Sequence, residues 1–309
     1  MTDSVLLPEI RPVLGLGTIV IDHQVVLKGL PAPDTKSEIL SDRFQVGGPV
    51  PTALALLGRF GLSTSFIGKW STDEWGMRIE EDLEKHGVDV GSAMVHPQFR
   101  TGFAHVWVES ETGRRSIAAY RGSHEITADD LSGVAWEQFG GLHLDGWSTE
   151  AAIIAAGRMR KAGGQVFIDL GSPKDRLEEL ISRVDHVNCP RRLLTILYPG
   201  ESVEKAASRF VAWGATSVTV TDGTEGAWFL TRDGYLHQPA FKVKAIDTNG
   251  AGDVFAGAVV FGTLHGWTPE RCLRFAAAAA ALKCLGLGNR GVLPTRERIE
   301  SFIHERANA

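Results

Sequence analysis

Cysteine is scarce in this sequence: three residues in 309, Cys189, Cys272 and Cys284, with no CxxC pair. An odd count without paired spacing excludes a disulfide framework and a zinc knuckle, and leaves buried free thiols as the simplest reading. Positive charge is not in surplus either. Against 37 acidic residues stand 32 Lys and Arg, a net charge of −5. The chain therefore lacks the broad basic field that grips a phosphate backbone, and nucleic acid is not an expected partner. No run reaches the roughly 18 apolar residues of a membrane span. The opening MTDSVLLPEIRPVLG has neither a basic start nor a long apolar stretch, so a cytoplasmic protein with no membrane partner is expected. Repeats of fixed period are absent, and the one biased tract, Ala276 to Ala281, reads as a close-packed helix face.

Several catalytic signatures are missing as well. HExxH and GxSxG do not occur. Gly68-Lys69 is followed by Trp70 and has Ser63 where a Walker motif needs glycine, so there is no P-loop. Gly15-Leu16-Gly17 meets Val20 where the dinucleotide fingerprint needs Gly or Ala, which argues against a Rossmann dehydrogenase. The histidines show no ligand spacing, and His23 reads as a surface or lid residue.

What is present is a globular composition, 43% hydrophobic and 22% charged. The length allows about two domains, or one large α/β unit. Glycine is the surplus: 35 residues, where an average usage of about 7% gives roughly 22. Residues 12 to 21 (PVLGLGTIVI) predict a buried first strand ending at Asp22. Alternating pieces from Gln24 to Val46, and again from 102 to 120 around a polar turn at Glu111 to Arg114, predict antiparallel strands of a small separate sheet. Elsewhere strand and helix alternate. Helices are expected at Thr52 to Phe60, after a capping box at Ser71 to Glu74, and at 251–264, 269–285 and 295–306; strands at 64–67, 141–144, 166–169, 186–188 and 217–221. Such alternation predicts a largely parallel sheet covered on both faces.

The strongest chemical signal is Asp247-Thr248-Asn249-Gly250-Ala251-Gly252-Asp253, between strand-like FKVKAI and an apolar helical run. A helix start carries unpaired N–H groups and a positive dipole end, and glycines let an anion approach them. Asp253, on the first turn, is placed to accept a proton from an attacking hydroxyl. A tight turn with an ordinary helix-start acid is the plainer alternative. Thr221-Asp222-Gly223-Thr224-Glu225-Gly226 reads either as a backbone wrapping nucleotide phosphates or as a hairpin turn. Gly47-Gly48 before Pro49, and Asp22 beyond the first strand, are further positions where a ligand can meet the backbone.

In this order, these features resemble the PfkB carbohydrate kinase family, the ribokinase-like kinases, from about Val13 to Pro294. DTNGAGDVFAG matches its C-terminal DTxGAGD signature, and Gly291 to Thr295 (GVLPT) a later element. The resemblance implies a three-layer α/β/α ribokinase-like fold with a small β-sheet lid: a nucleotide-binding domain from 1–23, 47–100 and 122–309, and a lid from 24–46 and 101–121. It implies an ATP-dependent sugar kinase using Mg²⁺, phosphorylating a primary hydroxyl of a pentose or ketohexose. Asp253 would be the general base, with Gly250, Ala251 and Gly252 as anion hole. Asp22, Gly47, Gly48 and Thr52 would bind sugar, and Asn188, Thr221, Gly223, Gly226 and Gly252 the nucleotide. Asp247 and the Asn249 carbonyl match positions that hold a monovalent cation, K⁺, in many members. Lid sheets often pair in this family, so a homodimer is expected.

Three residues depart from the pattern. Thr52 stands where many members have a sugar-contacting Asn. Arg191 replaces the Glu of the family's Asn-x-x-Glu element, which reverses a charge near Mg²⁺ or places a guanidinium on a phosphate. Ala277 replaces an Asn near adenine, implying apolar adenine contacts. Thr52 and the GGPxxT pattern resemble the family branch that includes sulfosugar and other acid-sugar kinases, which implies an anionic sugar, acid or sulfo, as the alternative, with Lys28, Arg100 and Arg121 as basic residues in or near the lid; Phe44, Phe103 and Trp107 suit a nucleoside. A non-catalytic ligand-binding regulator is the reading from another class.

Overall fold

The computed structural model describes residues 10–111, 115–122 and 125–307. Residues 1–9 of the opening segment, and the expected polar turn beyond Glu111, lie outside them. In chain order come β1 (Val13–Leu16), β2 (Val20–Leu27), β3 (Ser41–Gly47), α1 (Pro49–Arg59), β4 (Thr64–Ile67), β5 (Lys69–Trp70), α2 (Glu74–Lys85), β6 (Val88–Asp89) and β7 (Met94–Val95). The lid-like pair β8 (Phe103–Glu109) and β9 (Arg115–Tyr120) follows. Then strand and helix alternate: β10 (Gly141–Leu144), α3 (Thr149–Lys161), β11 (Gln165–Asp169), α4 (Leu177–Ile181), β12 (His186–Pro190), α5 (Arg191–Leu197), α6 (Val203–Ala212) and β13 (Ser217–Thr221). β14 (Ala227–Leu230), β15 (Tyr235–Gln238), α7 (Ala251–Leu264), α8 (Pro269–Lys283) and α9 (Arg296–Ala307) complete the fold.

The large sheet runs β15-β14-β13-β12-β11-β10-β1-β4-β6, parallel from β13 to β6 and antiparallel at β14 and β15. Its strands alternate faces, as a pleat requires. Val13 and Phe167 enter one apolar core with α1, α7 and α8, while Leu14, Leu16, Val166 and Ile168 enter a second with α3 and α6. These two cores make the three layers. Thr268 caps α8 from its side chain with Pro269 at the first helical position, as expected. Cys189 and Cys272 are buried thiols, and Cys284 is half-buried.

Some expectations are corrected. The 12–21 run is two strands, not one: the chain leaves the large sheet after Leu16, and β2 joins a separate sheet ordered β3-β2-β8-β9. The boundary placed at 23 therefore falls inside β2, and Asp22 stands on a small-sheet strand. An apolar run cannot show a change of sheet, because both halves are buried. The central pair β2–β8 is parallel, since its two hairpin arms arrive separately, while β2–β3 and β8–β9 are antiparallel. The capping residue of α2 is Asp73, not Ser71; its carboxylate accepts from the Gly76 N–H at 2.8 Å. FKVKAI forms no strand; instead the Ile246 and Asp247 N–H groups donate to the Cys284 carbonyl at 2.7 and 3.3 Å. Among the described residues, no helix is long and apolar enough to cross a membrane.

Candidate active site

The parallel strands end along one edge of the large sheet, where α/β proteins place ligands. Gly250 turns the chain into α7 with φ 80°, a left-handed conformation that glycine adopts without penalty. No side chain caps this helix start. The Ala251 N–H is taken by the Thr248 carbonyl at 3.2 Å, which leaves the Gly252 and Asp253 amides without a backbone acceptor among the described residues. A side chain at Gly252 would meet nothing within 4 Å, so the approach is open. Asp253 is half-buried on the first turn. Burial pushes its carboxyl up to about 6; Arg290 and Arg115 oppose the rise and Asp22 adds to it. Such a group is ionised near neutral pH yet basic enough to take a proton.

Asp22 lies across the cleft on β2. Burial raises its carboxyl, and Asn289 Nδ2 donates to Oδ2 at 3.1 Å. Gly47 on β3 leaves it room, because a Cβ there would come within 2.5–2.8 Å of the Asp22 carboxylate. Gly48 caps α1 at φ 112°, against the Thr18 carbonyl. Thr52 is not brought to this group's open side. It is fully buried, and its hydroxyl donates to the Gly48 carbonyl at 2.9 Å, a bond one helical turn back that shores up the Gly47-Gly48 corner from behind.

Thr221 to Gly226 is a hairpin turn: β13 and β14 are antiparallel, joined by a short 3₁₀ turn. Gly223 is open, since a Cβ there would meet nothing within 4 Å, whereas a Cβ at Gly226 would strike the Gln238 carbonyl at 2.1 Å. Gly226 is thus explained by chain packing. Asn188 is buried with both amide ends engaged, its Nδ2 donating to Asp169 Oδ1 and its Oδ1 accepting from Thr219 Oγ1, each at 2.9 Å. Arg191 Nη1 donates to Asp222 Oδ2 at 2.8 Å, joining the start of α5 to the hairpin turn. Ala277 is buried in α8. Phe44 stacks on His23 at 4.2 Å and meets Trp75 of α2 at 5.0 Å, with part of its side chain exposed.

Sequence reasoning missed Asp169, Asn289, Arg290 and Lys283. Asp169 ends β11, its carboxyl pushed up to about 8 by burial and by the charges of Asp253 and Asp145. Asn289 and Arg290 sit in the glycine-rich stretch LGLGNRG, a punctuation signal that was available. Lys283 ends a run of alanines as its one cation, which was also a readable anomaly.

The acidic crowding at Asp169 fits a divalent cation. Mg²⁺ takes one or two carboxylates plus substrate phosphates, and among the described residues no group of three or more His, Cys, Asp or Glu side chains forms a metal cage of its own. The expected monovalent-cation position does not fit. Asp247 Oδ1 accepts from the Asn249 N–H and Oδ2 from the Gly288 N–H, both at 2.9 Å, and its carbonyl accepts from Lys283 Nζ at 2.8 Å.

Comparison with known proteins places these features in context. The model of the pfkB family carbohydrate kinases matches residues 12–296. Ketohexokinase of Mus musculus is 27% identical over 89% of this chain and 97% of its own. ATP-dependent ribose-1-phosphate kinase of Halopiger xanaduensis is 27% identical over 95% and 98%. The structure of Arabidopsis thaliana ribokinase complexed with ribose and ATP superposes with a TM-score of 0.82, at 25% identity, covering 96% of this chain and 99% of that one.

Proposed function

The chain belongs to the pfkB family and is a carbohydrate kinase, and we propose that it transfers the γ-phosphate of ATP to a primary hydroxyl of a pentose or ketohexose. The observation that carries this reading is Asp253, tuned to about 6 on the first turn of a helix whose glycine entry is open. The hydroxyl oxygen bonds to the γ-phosphorus, the bond to the ADP oxygen breaks, and Asp253 takes the hydroxyl proton. The Gly250-Ala251-Gly252 turn, through the amides at its helix end, offsets charge on the phosphoryl group in flight. Asp22 and the Gly47-Gly48 backbone hold sugar hydroxyls, with Thr52 supporting that corner. Thr221 and Gly223 lie along the nucleotide, and Asn188 and Gly226 shape its floor. Mg²⁺, held by the ATP phosphates and Asp169, would supply charge neutralisation there.

An anionic sugar is the second reading. Arg290 and Arg115 both bear electrostatically on Asp22 and Asp253, so the sugar side of the cleft is not purely acidic. Phe44 already stacks on His23, which favours a nucleoside less. A homodimer paired through the lid belongs to the same proposal, as does a site within the cytoplasm. ADP release, measured over neutral sugars, sugar acids, sugar phosphates and nucleosides, is expected to be fastest with a neutral pentose or ketohexose. Selective turnover of a phosphorylated or acidic sugar would favour the second reading, and no turnover of any acceptor would refute the kinase assignment.

A further inference from the structure

Lys283 is the last residue of α8, and it is fully buried. A buried ammonium needs a dedicated partner, because desolvation disfavours its charged form. Among the described residues its hydrogen-bond partner is one backbone oxygen, the Asp247 carbonyl, at 2.8 Å. The rest of Asp247 is committed too. Asn249 and Gly288 donate their N–H groups to its two carboxylate oxygens, and Arg43 Nη2 lies 3.4 Å from Oδ2. The backbone here is strapped to the end of α8, since the Ile246 and Asp247 N–H groups donate to the Cys284 carbonyl. The loop that delivers Gly250 and Asp253 therefore stands on a fixed positive charge, and Lys283 interacts electrostatically with both Asp247 and Asp253.

A monovalent cation bound to the Asp247 oxygens would have to occupy the ammonium's place or lie against it, and like charges so close repel strongly. We propose that the Lys283 ammonium is the resident cation beneath the anion hole, a positioning residue that holds the 247–250 loop and makes the enzyme independent of K⁺. This inference rests on the kinase reading only for its activity arm.

The full-length chain is measured in potassium, sodium and choline chloride of matched ionic strength, beside Lys283→Ala, which leaves space, and Lys283→Met, which fills it without charge. Wild type is expected to show the same melting temperature and, within about twofold, the same turnover in all three salts. Lys283→Ala is expected to lose at least tenfold in turnover in choline, to regain most of it with potassium or ethylammonium, and to gain thermal stability from potassium. Lys283→Met is expected to lose activity without rescue. A wild-type enzyme activated tenfold or raised in melting temperature by potassium over choline overturns the proposal, whatever the variants do. So does a Lys283→Ala enzyme that keeps wild-type turnover in choline, or one that no cation rescues. If no acceptor is phosphorylated in any salt, the kinase reading has failed, and the melting temperatures still decide the cation.

Discussion

At the scale of single residues, Asp253 carries the most consequence. Burial raises its carboxyl from 3.8 to about 6, with Arg290 and Arg115 holding it from rising further. The base must be ionised to work, so kcat/KM is expected to be level above pH 6 and to fall tenfold per pH unit below it. Asp253→Asn is expected to lower kcat by roughly 10²- to 10⁴-fold. The stability sign is opposite. A folded-state pKa above the unfolded value stabilises the fold below pH 3.8, and that contribution is lost as pH rises through about 6. Removing the charge should therefore leave the variant melting no lower than wild type at pH 7, and higher if anything. A pH-rate profile with thermal melts checks both; an unshifted acid limb in the range of ordinary carboxylates, or a variant with near-native turnover, would remove Asp253 from the role of base.

At the scale of elements, one loop joins parts that are far apart in sequence. Gly288 donates to Asp247, Asn289 to Gln45 on β3 and to Asp22 on β2, and Arg290 to the Val46 and Gly47 carbonyls and to Asp82 on α2. Arg290 is nearly fully buried while the Asp82 side chain is 26% exposed, so truncating Arg290 leaves two carbonyls without this donor and a carboxylate that water can reach. Losing these hydrogen bonds at a part-buried site costs roughly 1–3 kcal/mol. Arg290→Ala is thus expected to lower the unfolding free energy by that much and to speed hydrogen exchange in β2 and β3; a loss below about 0.5 kcal/mol with unchanged exchange would show that the loop does not hold the small sheet. Such a strap was not legible in the sequence, because every contact spans scores or hundreds of positions. Local signals read well: β10, β13 and α7 fall where periodicity, glycines and capping put them, since those cues act within a few residues. The glycine loop before Asp253 was legible for the same reason. The split of 12–21 into β1 and β2, the irregular 241–246 segment, and the cation under Asp247 were not, because tertiary partners decide them.

At the scale of the molecule, the small sheet is left with an open side. β9 is exposed along its whole length, and its outer edge has no strand partner among the described residues. Large apolar side chains are exposed at both ends of this sheet: Leu30, Ile39, Leu40 and Phe44 on the β2–β3 arm, and Ile117 and Tyr120 on β9. Ile117 is paired with Val106, and both share the sheet face that carries Asp22 and Gln24, so whatever covers Ile117 also borders the Asp22 side of the cleft. A second copy of this chain meeting the lid would pair or cover that edge isologously and close the sugar side in one step. Light scattering on the purified chain is accordingly expected to give twice the 33.4 kDa of one copy. Ile117→Lys, which puts a charge on the exposed edge without touching the core, should shift the mass to one copy and raise KM for the sugar while leaving KM for ATP within about twofold. A wild-type chain that stays at one copy would remove the lid pairing. A variant that dissociates with no change in either KM would keep the dimer but uncouple it from sugar binding, leaving Asp22 and the Gly47-Gly48 corner to enclose the acceptor alone.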